Sequence, residues 1–312
     1  MKTEPLQVIR NAAEYPTAGR KVSLAIGMFD GVHLGHQQVI RQAVADAEQN
    51  EGVAIVVTFD QHPSTIVAPT RVPPLIYSLP QKLRAIASLD ADAVLLVHFD
   101  EIFSQQPGEI FIRQLARDFA PLHSITVGSS FTFGHKRDGN VELLKKLGFE
   151  IGFTVHDIAA VSLDNERVSS TRVREAIRSG KLDRAAEMLG RKYALSGKIV
   201  RGDQIGRKFG FATANIDSTG RALPPNGVYA VHAYVRGARH RAVLNIGVRP
   251  TIASPTPQPR VEAHLLKFNS DIYDEEMELT FVKKLRDEQR FPSIDALRAQ
   301  IQLDVEQALK VF

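Results

Sequence analysis

Two histidines three residues apart, His33 and His36, stand in the glycine-rich turn Gly27-Met28-Phe29-Asp30-Gly31-Val32-His33-Leu34-Gly35-His36, directly after the apolar run Val22 to Ile26. A strand, a glycine turn and a helix start make a cradle for phosphate, because free backbone N–H groups and the positive helix end face an anion. As the helix begins, residues three apart share one face. Paired imidazole donors there suit charge developing on a phosphate under attack. Two histidines at this spacing can also ligate a metal. The chain has no cysteine, however, and no nearby cluster that would supply a third and fourth ligand. A helix start that merely happens to carry two histidines is the blandest alternative, and the glycines at 27, 31 and 35 weigh against it.

The second half of the chain carries a different constellation. Glycines at 202, 206 and 210, interleaved with Arg201, Arg207 and Lys208, suit a flexible arch over a polyphosphate. Directly after it, Thr213 and Asn215 alternate with apolar residues, so on a strand they share one face. A hydroxyl and an amide oxygen are hard donors fit for Mg²⁺, which leans on substrate phosphates for its remaining ligands. In Val261-Glu262-Ala263-His264-Leu265, Glu262 and His264 alternate with apolar neighbours. A carboxylate inside a strand is costly to bury without a task, and Glu262 could deprotonate an alcohol attacking a γ-phosphate. An exposed glutamate on a barrel exterior is the competing reading.

Three further segments of the first half sit where strands should end: Thr58-Phe59-Asp60-Gln61-His62-Pro63, Val127-Gly128-Ser129-Ser130-Phe131-Thr132-Phe133-Gly134, and Arg167-Val168-Ser169-Ser170-Thr171-Arg172. Hydroxyls and arginines at a helix start form an anion site able to hold the far phosphates of a nucleotide. Taken singly, Ser169 and Ser170 read as helix caps, and Phe131 with Phe133 as core.

These residues need elements to position them. Val22–Ile26, Val53–Phe59, Ala93–Phe99, Ile125–Gly128 and Ile151–Val155 read as strands buried on both faces. Amphipathic stretches at His36–Asn50, Pro80–Ser88, Pro107–Phe119 and Asn140–Leu147 alternate with them. That order predicts a parallel, doubly wound sheet whose ligands lie beyond the carboxyl ends of its strands. After the helical Leu182–Leu189 the texture changes. Val228–Val235, His240–Ile246, Val261–Phe268 and Met277–Leu285 read as strands without intervening helices, which predicts an antiparallel barrel or sandwich. A closing helix, Ser293–Val311, carries an apolar stripe through Ile294, Leu297, Ile301, Val305 and Leu309. The expected domains are 1–188 and 189–312, and the proline-rich stretch Ile252–Pro259 reads as an extended loop.

Composition narrows the classes. At 312 residues the chain is long enough for two domains. A net charge of +4 suits anionic small molecules but is not the basic stripe of a nucleic-acid surface. The lack of cysteine excludes disulfides, thiolate metal sites and a cysteine nucleophile, and fits a reducing compartment. Met1 to Pro5 lacks the apolar core of a signal peptide, and no apolar run reaches membrane-spanning length. The expectation is a soluble, cytoplasmic protein.

The N-terminal segments together resemble the nucleotidyltransferase domain of the prokaryotic bifunctional riboflavin kinase/FAD synthetases, and from about Tyr193 onward the chain is similar to their riboflavin kinase domain. Beyond the motifs above, that second match includes Gly227-Val228-Tyr229-Ala230, Asn245-Ile246-Gly247-Val248-Arg249-Pro250-Thr251 and Leu285-Arg286-Asp287-Glu288. The resemblance implies a Rossmann-like domain followed by a small closed β-barrel with a terminal helix. It implies phosphorylation of riboflavin to FMN in the barrel and adenylylation of FMN to FAD, with release of pyrophosphate, in the first domain.

By the same resemblance Glu262 is the base of the kinase step, while His33 and His36 stabilise the α-phosphate transition state. Gly27, Phe29, Asp30, Gly31, Arg167, Ser170 and Thr171 would bind ATP in one half; Gly202, Gly206, Arg207 and Gly210 would do so in the other. Asp60, His62, Ser130 and Phe131, and in the barrel Arg249, Arg286 and Glu288, would surround flavin. Thr213 and Asn215 would hold Mg²⁺ with ATP. The expected partners are riboflavin, FMN and ATP, without nucleic acid or membrane, in a monomer or weak homo-oligomer. Three positions depart from the family pattern: Gln61 and Ala212 replace prolines, and Ser130 stands where Asp or Asn precedes the Phe. The alternative that Gln61 and Ser130 support is a riboflavin kinase whose first domain adenylylates weakly or only regulates.

Overall fold

The structure, a computed structural model, describes residues 6–202, 211–247 and 259–312. The expectations for Gly206, Arg207, Gly210 and Arg249, and for most of the proline-rich stretch, lie outside the described residues. The chain forms two compact units, Met1–Ser170 and Thr171–Phe312.

The first unit is built on a six-stranded sheet in the spatial order Gln7–Ile9, Ala93–Val97, Val53–Phe59, Val22–Ile26, Leu122–Gly128, Thr154–Ile158. Every neighbouring pair is parallel. The strands alternate between two apolar layers. Leu24, Ile26, Ile55, Val57, Ile125 and Val127 face the helices Gly108–Asp118 and Val141–Ile151. Ala25, Ala54, Val56 and Val94 face Leu34–Gln49 and Leu79–Ala87, where Ile40, Ala43 and Ile86 are fully buried. From Val22–Ile26 the chain moves to one side through Val53–Phe59 and Ala93–Val97, then crosses back to Leu122–Gly128 on the other. The crevice of a doubly wound sheet opens where the winding reverses. Here it lies between the turns that follow Val22–Ile26 and Leu122–Gly128.

Two elements differ from expectation. Ile151–Val155 is not a strand: the helix runs on to Ile151, Gly152 ends it at φ 99°, and the edge strand is Thr154–Ile158. A left-handed residue is a common helix stop that glycine adopts without strain. The edge strand Gln7–Ile9 escaped notice because three residues show no periodicity; it pairs with Ala93–Val97.

The barrel of the second unit closes in the order Ala194–Val200, Ala214–Ile216, Arg260–Leu265, Ala238–Gly247, Gly227–Val235, Glu276–Arg286, antiparallel throughout. Val231, Ala233, Leu244, Ile246, Val261 and Ala263 fill its interior. On the outer face Val228, Ala230 and Val243 pack against Val305 and Ala308 of the terminal helix Ile294–Leu309. Ser293 caps that helix by accepting the Ala296 N–H at 3.1 Å.

The stripe read from the sequence is corrected at both ends. Ile294 and Leu309 are exposed, whereas Asp304 and Ala308 are buried. Asp304 takes a core position because Arg286, on the last barrel strand, meets it with two bonds of 2.8 Å, from Nε to Oδ1 and from Nη2 to Oδ2. Removing one partner of a buried ion pair leaves the other charged and uncompensated, at about 3–5 kcal/mol. Asp304→Ala should therefore destabilise the second unit by that order in denaturant unfolding. A change under about 1 kcal/mol would show the pair to be ornamental.

Two candidate active sites

The histidine turn owes its shape to backbone that only glycine and a few constrained residues adopt. Phe29, Gly31 and Val32 all have positive φ, at 51°, 78° and 40°. A Cβ on Gly31 would press on Ile76 at 2.9 Å. Asp30 is buried, and its carboxylate accepts the backbone N–H groups of Ile76 and Tyr77 at 3.1 and 3.2 Å. Its own carbonyl accepts the Ser170 hydroxyl at 3.0 Å. The turn is thereby pinned to two distant segments. Asp30, expected among the ATP ligands, spends its carboxylate on these backbone groups.

The two imidazoles stack at 3.6 Å between centroids with planes 17° apart, and Phe29 meets the His36 ring edge-on at 5.3 Å. His33 is the N-cap of Leu34–Gln49, its Nδ1 accepting the His36 N–H at 3.4 Å. That bond leaves Nε2 as its donor position. His33 is buried and His36 half-buried. A helix N-terminus, unusual φ angles and two ordered imidazoles thus converge at the reversal of the sheet.

The remaining residues of this unit stand on the turns beside it. Asp60 follows Val53–Phe59 and accepts from His98 Nδ1 at 2.6 Å and from the Phe99 N–H at 3.2 Å. Burial pushes the Asp60 carboxyl up, but these hydrogen bonds and the His98 charge outweigh it and hold it below the usual carboxylate range. The same contact raises the exposed His98 imidazole. Gln61, in place of a proline, donates its amide to Phe99 O at 2.6 Å and so ties two turns together. His62 Nδ1 accepts the Ser64 N–H at 3.1 Å, at the start of the short helix Ser64–Val67.

Phe131 stacks on Phe133 at 5.2 Å, and Phe133 lies in the core; Phe131 is only half-buried. Ser130 Oγ accepts a 2.6 Å bond from Arg167 Nη2, which joins the turn after Leu122–Gly128 to the hairpin strand Glu166–Arg167. Ser170 and Thr171 open the helix Ser170–Arg178. Sequence reasoning missed His98, which follows a strand without a surrounding motif. It also missed Lys82, a buried lysine that donates to Met28 O, Thr58 Oγ1 and Phe59 O. Its signal was available: a lysine four residues before the core Ile86 sits on the apolar face of its helix.

In the barrel, strand register assembles the second site. Asn215 is the direct neighbour of Glu262, and Glu262 of Asn245, so the three form one row across three strands. All are half-buried, while Ala214, Val261, Ala263 and Ile246 beside them are buried. Glu262 therefore lies on the outer face, the one that carries the terminal helix, with two amides flanking it. Thr213 is two residues before Asn215 and half-buried like it. A Cβ on Gly202 would run into the Asn215 amide, so Gly202 fits closely over that side chain. His264 Nδ1 is 2.8 Å from Ala212 O and steadies the approach to Thr213.

Glu288 accepts from Asn226 Nδ2 at 3.0 Å and lies against Gly247, where a Cβ would collide with its carboxylate. Arg286 is held by Asp304 and also donates from Nη1 to Asp287 O at 2.9 Å. Tyr229, whose hydroxyl donates to Pro225 O at 2.5 Å, has its pKa pushed up to about 12 by burial and by Asp287. Among the described residues no group of three or more His, Asp or Glu is arranged to hold a metal. A cation here would depend on neutral oxygens and on substrate phosphates, as the Thr213 and Asn215 donor set allows.

Comparison with known proteins agrees with this division. Residues 16–172 match the family model for FAD synthetase, and residues 189–312 match that for riboflavin kinase. The bifunctional riboflavin kinase/FMN adenylyltransferase of Haemophilus influenzae is 35% identical, over 98% of this chain and 99% of its own. The protein of the same description from Escherichia coli K12 is 36% identical, over 97% and 96%. A solved structure described as a macrolide-efflux protein from Streptococcus pneumoniae superimposes with a TM-score of 0.81 at 27% identity, covering 98% of this chain and 99% of that one. Among the described residues no helix is long and apolar enough to cross a membrane. With both catalytic domains present along the full length of these relatives, the chain belongs to the bifunctional riboflavin kinase/FMN adenylyltransferase family, making FMN in its C-terminal domain and FAD in its N-terminal one.

Proposed function

We propose that the two reactions are carried by two disjoint residue sets. In the barrel, Glu262 takes the proton from the ribityl hydroxyl as it attacks the γ-phosphate of ATP. The observation that carries this is the pairing of Glu262 with Asn215 in adjacent strands, which sets a base directly beside a hard-donor amide. Thr213 and Asn215 would hold Mg²⁺, which neutralises charge on the phosphates when bound. Gly202, Gly206, Arg207 and Gly210 would bind the ATP of this step. Arg249 and Glu288 border the flavin. Arg286 serves it by fixing the end of its strand against the terminal helix, through Asp304.

In the first unit the FMN phosphate is the nucleophile. It is already ionised near neutral pH, so no base is required. His33 and His36 meet the charge that develops on the α-phosphate, with the N–H groups of the turn at Gly27 to Gly31 behind them. Phe29 and Asp30 serve ATP binding by shaping that turn. Arg167, Ser170 and Thr171 take the outer phosphates, while Asp60, His62, Ser130 and Phe131 border FMN.

Ser130, standing where the family has a carboxylate or amide, accepts a hydrogen bond from Arg167. Being uncharged, it orients the guanidinium without neutralising it. Ser130→Ala should raise the KM for ATP in FAD formation about tenfold, the order of one charged hydrogen bond, and leave FMN formation unchanged. An unaltered KM would remove Arg167 from the outer-phosphate role.

The functional boundary is placed at 188/189, the protein in the cytoplasm, and its state as a monomer or weak homo-oligomer. Chromatography of products from riboflavin and, separately, from FMN, with and without Mg²⁺, tests the scheme. Riboflavin should give FMN and then FAD, FMN should give FAD, and neither should react without the cation. FMN formation with no FAD at high enzyme would overturn the roles given to the first unit.

A further inference from the structure

We propose that Lys82 is a positioning residue for adenylyl transfer, its buried ammonium fastening the histidine turn to the FMN-side turn as one rigid unit. This rests on reading the histidine turn as the site of AMP transfer.

Lys82 is only 5% exposed, on the helix Leu79–Ala87. Its Nζ lies 2.6 Å from Phe59 O, 3.3 Å from Thr58 Oγ1 and 3.4 Å from Met28 O. Thr58 Oγ1 in turn donates to Met28 O at 3.1 Å, which closes the network. Met28 belongs to the phosphate turn. Phe59 ends the strand that leads into Asp60 and His62. One ammonium thus spans the carboxyl ends of two neighbouring strands. Its three protons match three acceptors.

A charge in this position is not needed for packing, since an apolar side chain would fill the space at less desolvation cost. It holds two carbonyls in place and adds positive potential behind a site that gathers anions. The charged groups that bear on it are Asp30, on the histidine turn, and Asp60, on the next one, with His98 paired to Asp60.

Desolvation outweighs those carboxylates and lowers the Lys82 pKa to about 8. Below that pH the side chain is charged and makes all three contacts. Above it, the neutral amine has two protons for three acceptors, and one strand end is released. FAD formation should therefore fall as pH rises through about 8, while FMN formation by the same chain does not share that limb.

The test is the pH profile of FMN-to-FAD conversion for the parent, Lys82→Met and Lys82→Arg, with riboflavin-to-FMN conversion as the internal control. Misplacement of reacting groups by about 1 Å costs on the order of 100-fold. Lys82→Met should lose about that factor in kcat/KM at neutral pH, with KM raised for both ATP and FMN, and should lack the alkaline limb. Lys82→Arg keeps a charge at every accessible pH. It should recover activity and carry the limb to higher pH. Should Lys82→Met fail to fold, the Lys82→Arg profile decides alone: a limb still near 8 overturns the proposal. Equal loss of kinase activity in Lys82→Met also overturns it, as does a parental profile in either variant. If instead the His33→Ala/His36→Ala variant keeps full FAD synthesis, the underlying reading of the turn fails, and Lys82 with it.

Discussion

Replacing Glu262 by Gln should abolish FMN formation and leave FMN-to-FAD conversion at the parental rate. The substitution keeps size and hydrogen bonding but removes the only carboxylate of the Asn215–Glu262–Asn245 row. A positioned general base contributes about 10²–10⁴-fold, so a fall of about 10³-fold in kcat is expected with little change in the KM for ATP. Because the glutamine still fits between two amides, the barrel should unfold at the same denaturant concentration. A drop below tenfold in kcat would mean that the ribityl hydroxyl loses its proton elsewhere.

The reciprocal experiment is His33→Ala with His36→Ala. Each electrostatic donor to a developing oxyanion is worth about 10²–10³-fold. The pair acts as a stacked unit with centroids 3.6 Å apart, so their losses should not add. FAD formation from FMN should fall by at least about 10³-fold, and riboflavin should stop at FMN. The helix Leu34–Gln49 loses its cap at His33, at about 1 kcal/mol, so the variant should remain folded at room temperature. FAD made at the parental rate would refute the phosphate role of this turn.

Much of this was legible in the sequence, for reasons that differ by element. Val22–Ile26 and Val53–Phe59 are largely apolar runs buried on both faces, and their ends were read to the residue. The histidine turn was legible because three glycines and two histidines combine backbone freedom with chemistry that packing does not demand. Positions that failed are those where a polar side chain sits inside an apolar pattern. Asp304 is absent from the stripe read in the sequence, because its partner Arg286 lies eighteen residues earlier, on a strand. Lys82 falls on the apolar face of its helix, four residues before Ile86, but its acceptors are carbonyls of other strands, which carry no mark in the sequence. At Asp30, likewise, nothing local shows that Ile76 and Tyr77 supply N–H donors to its carboxylate.

Serine at 130 and glutamine at 61, which favoured a first domain that adenylylates weakly or only regulates, make hydrogen bonds with Arg167 and Phe99. They are consistent with a working site, differently braced.

Two chemistries in two independent sets of residues imply that one defective chain can complete the work of another. The most direct measurement mixes Glu262→Gln with His33→Ala/His36→Ala, supplies riboflavin, ATP and Mg²⁺, and follows both flavin nucleotides over time. Neither variant alone should convert riboflavin to FAD. Together they should release FMN first and then FAD, after a lag that shortens as more of the histidine variant is added. A mixture that never makes FAD, although each variant performs its own half-reaction, would contradict the separation of the two sites.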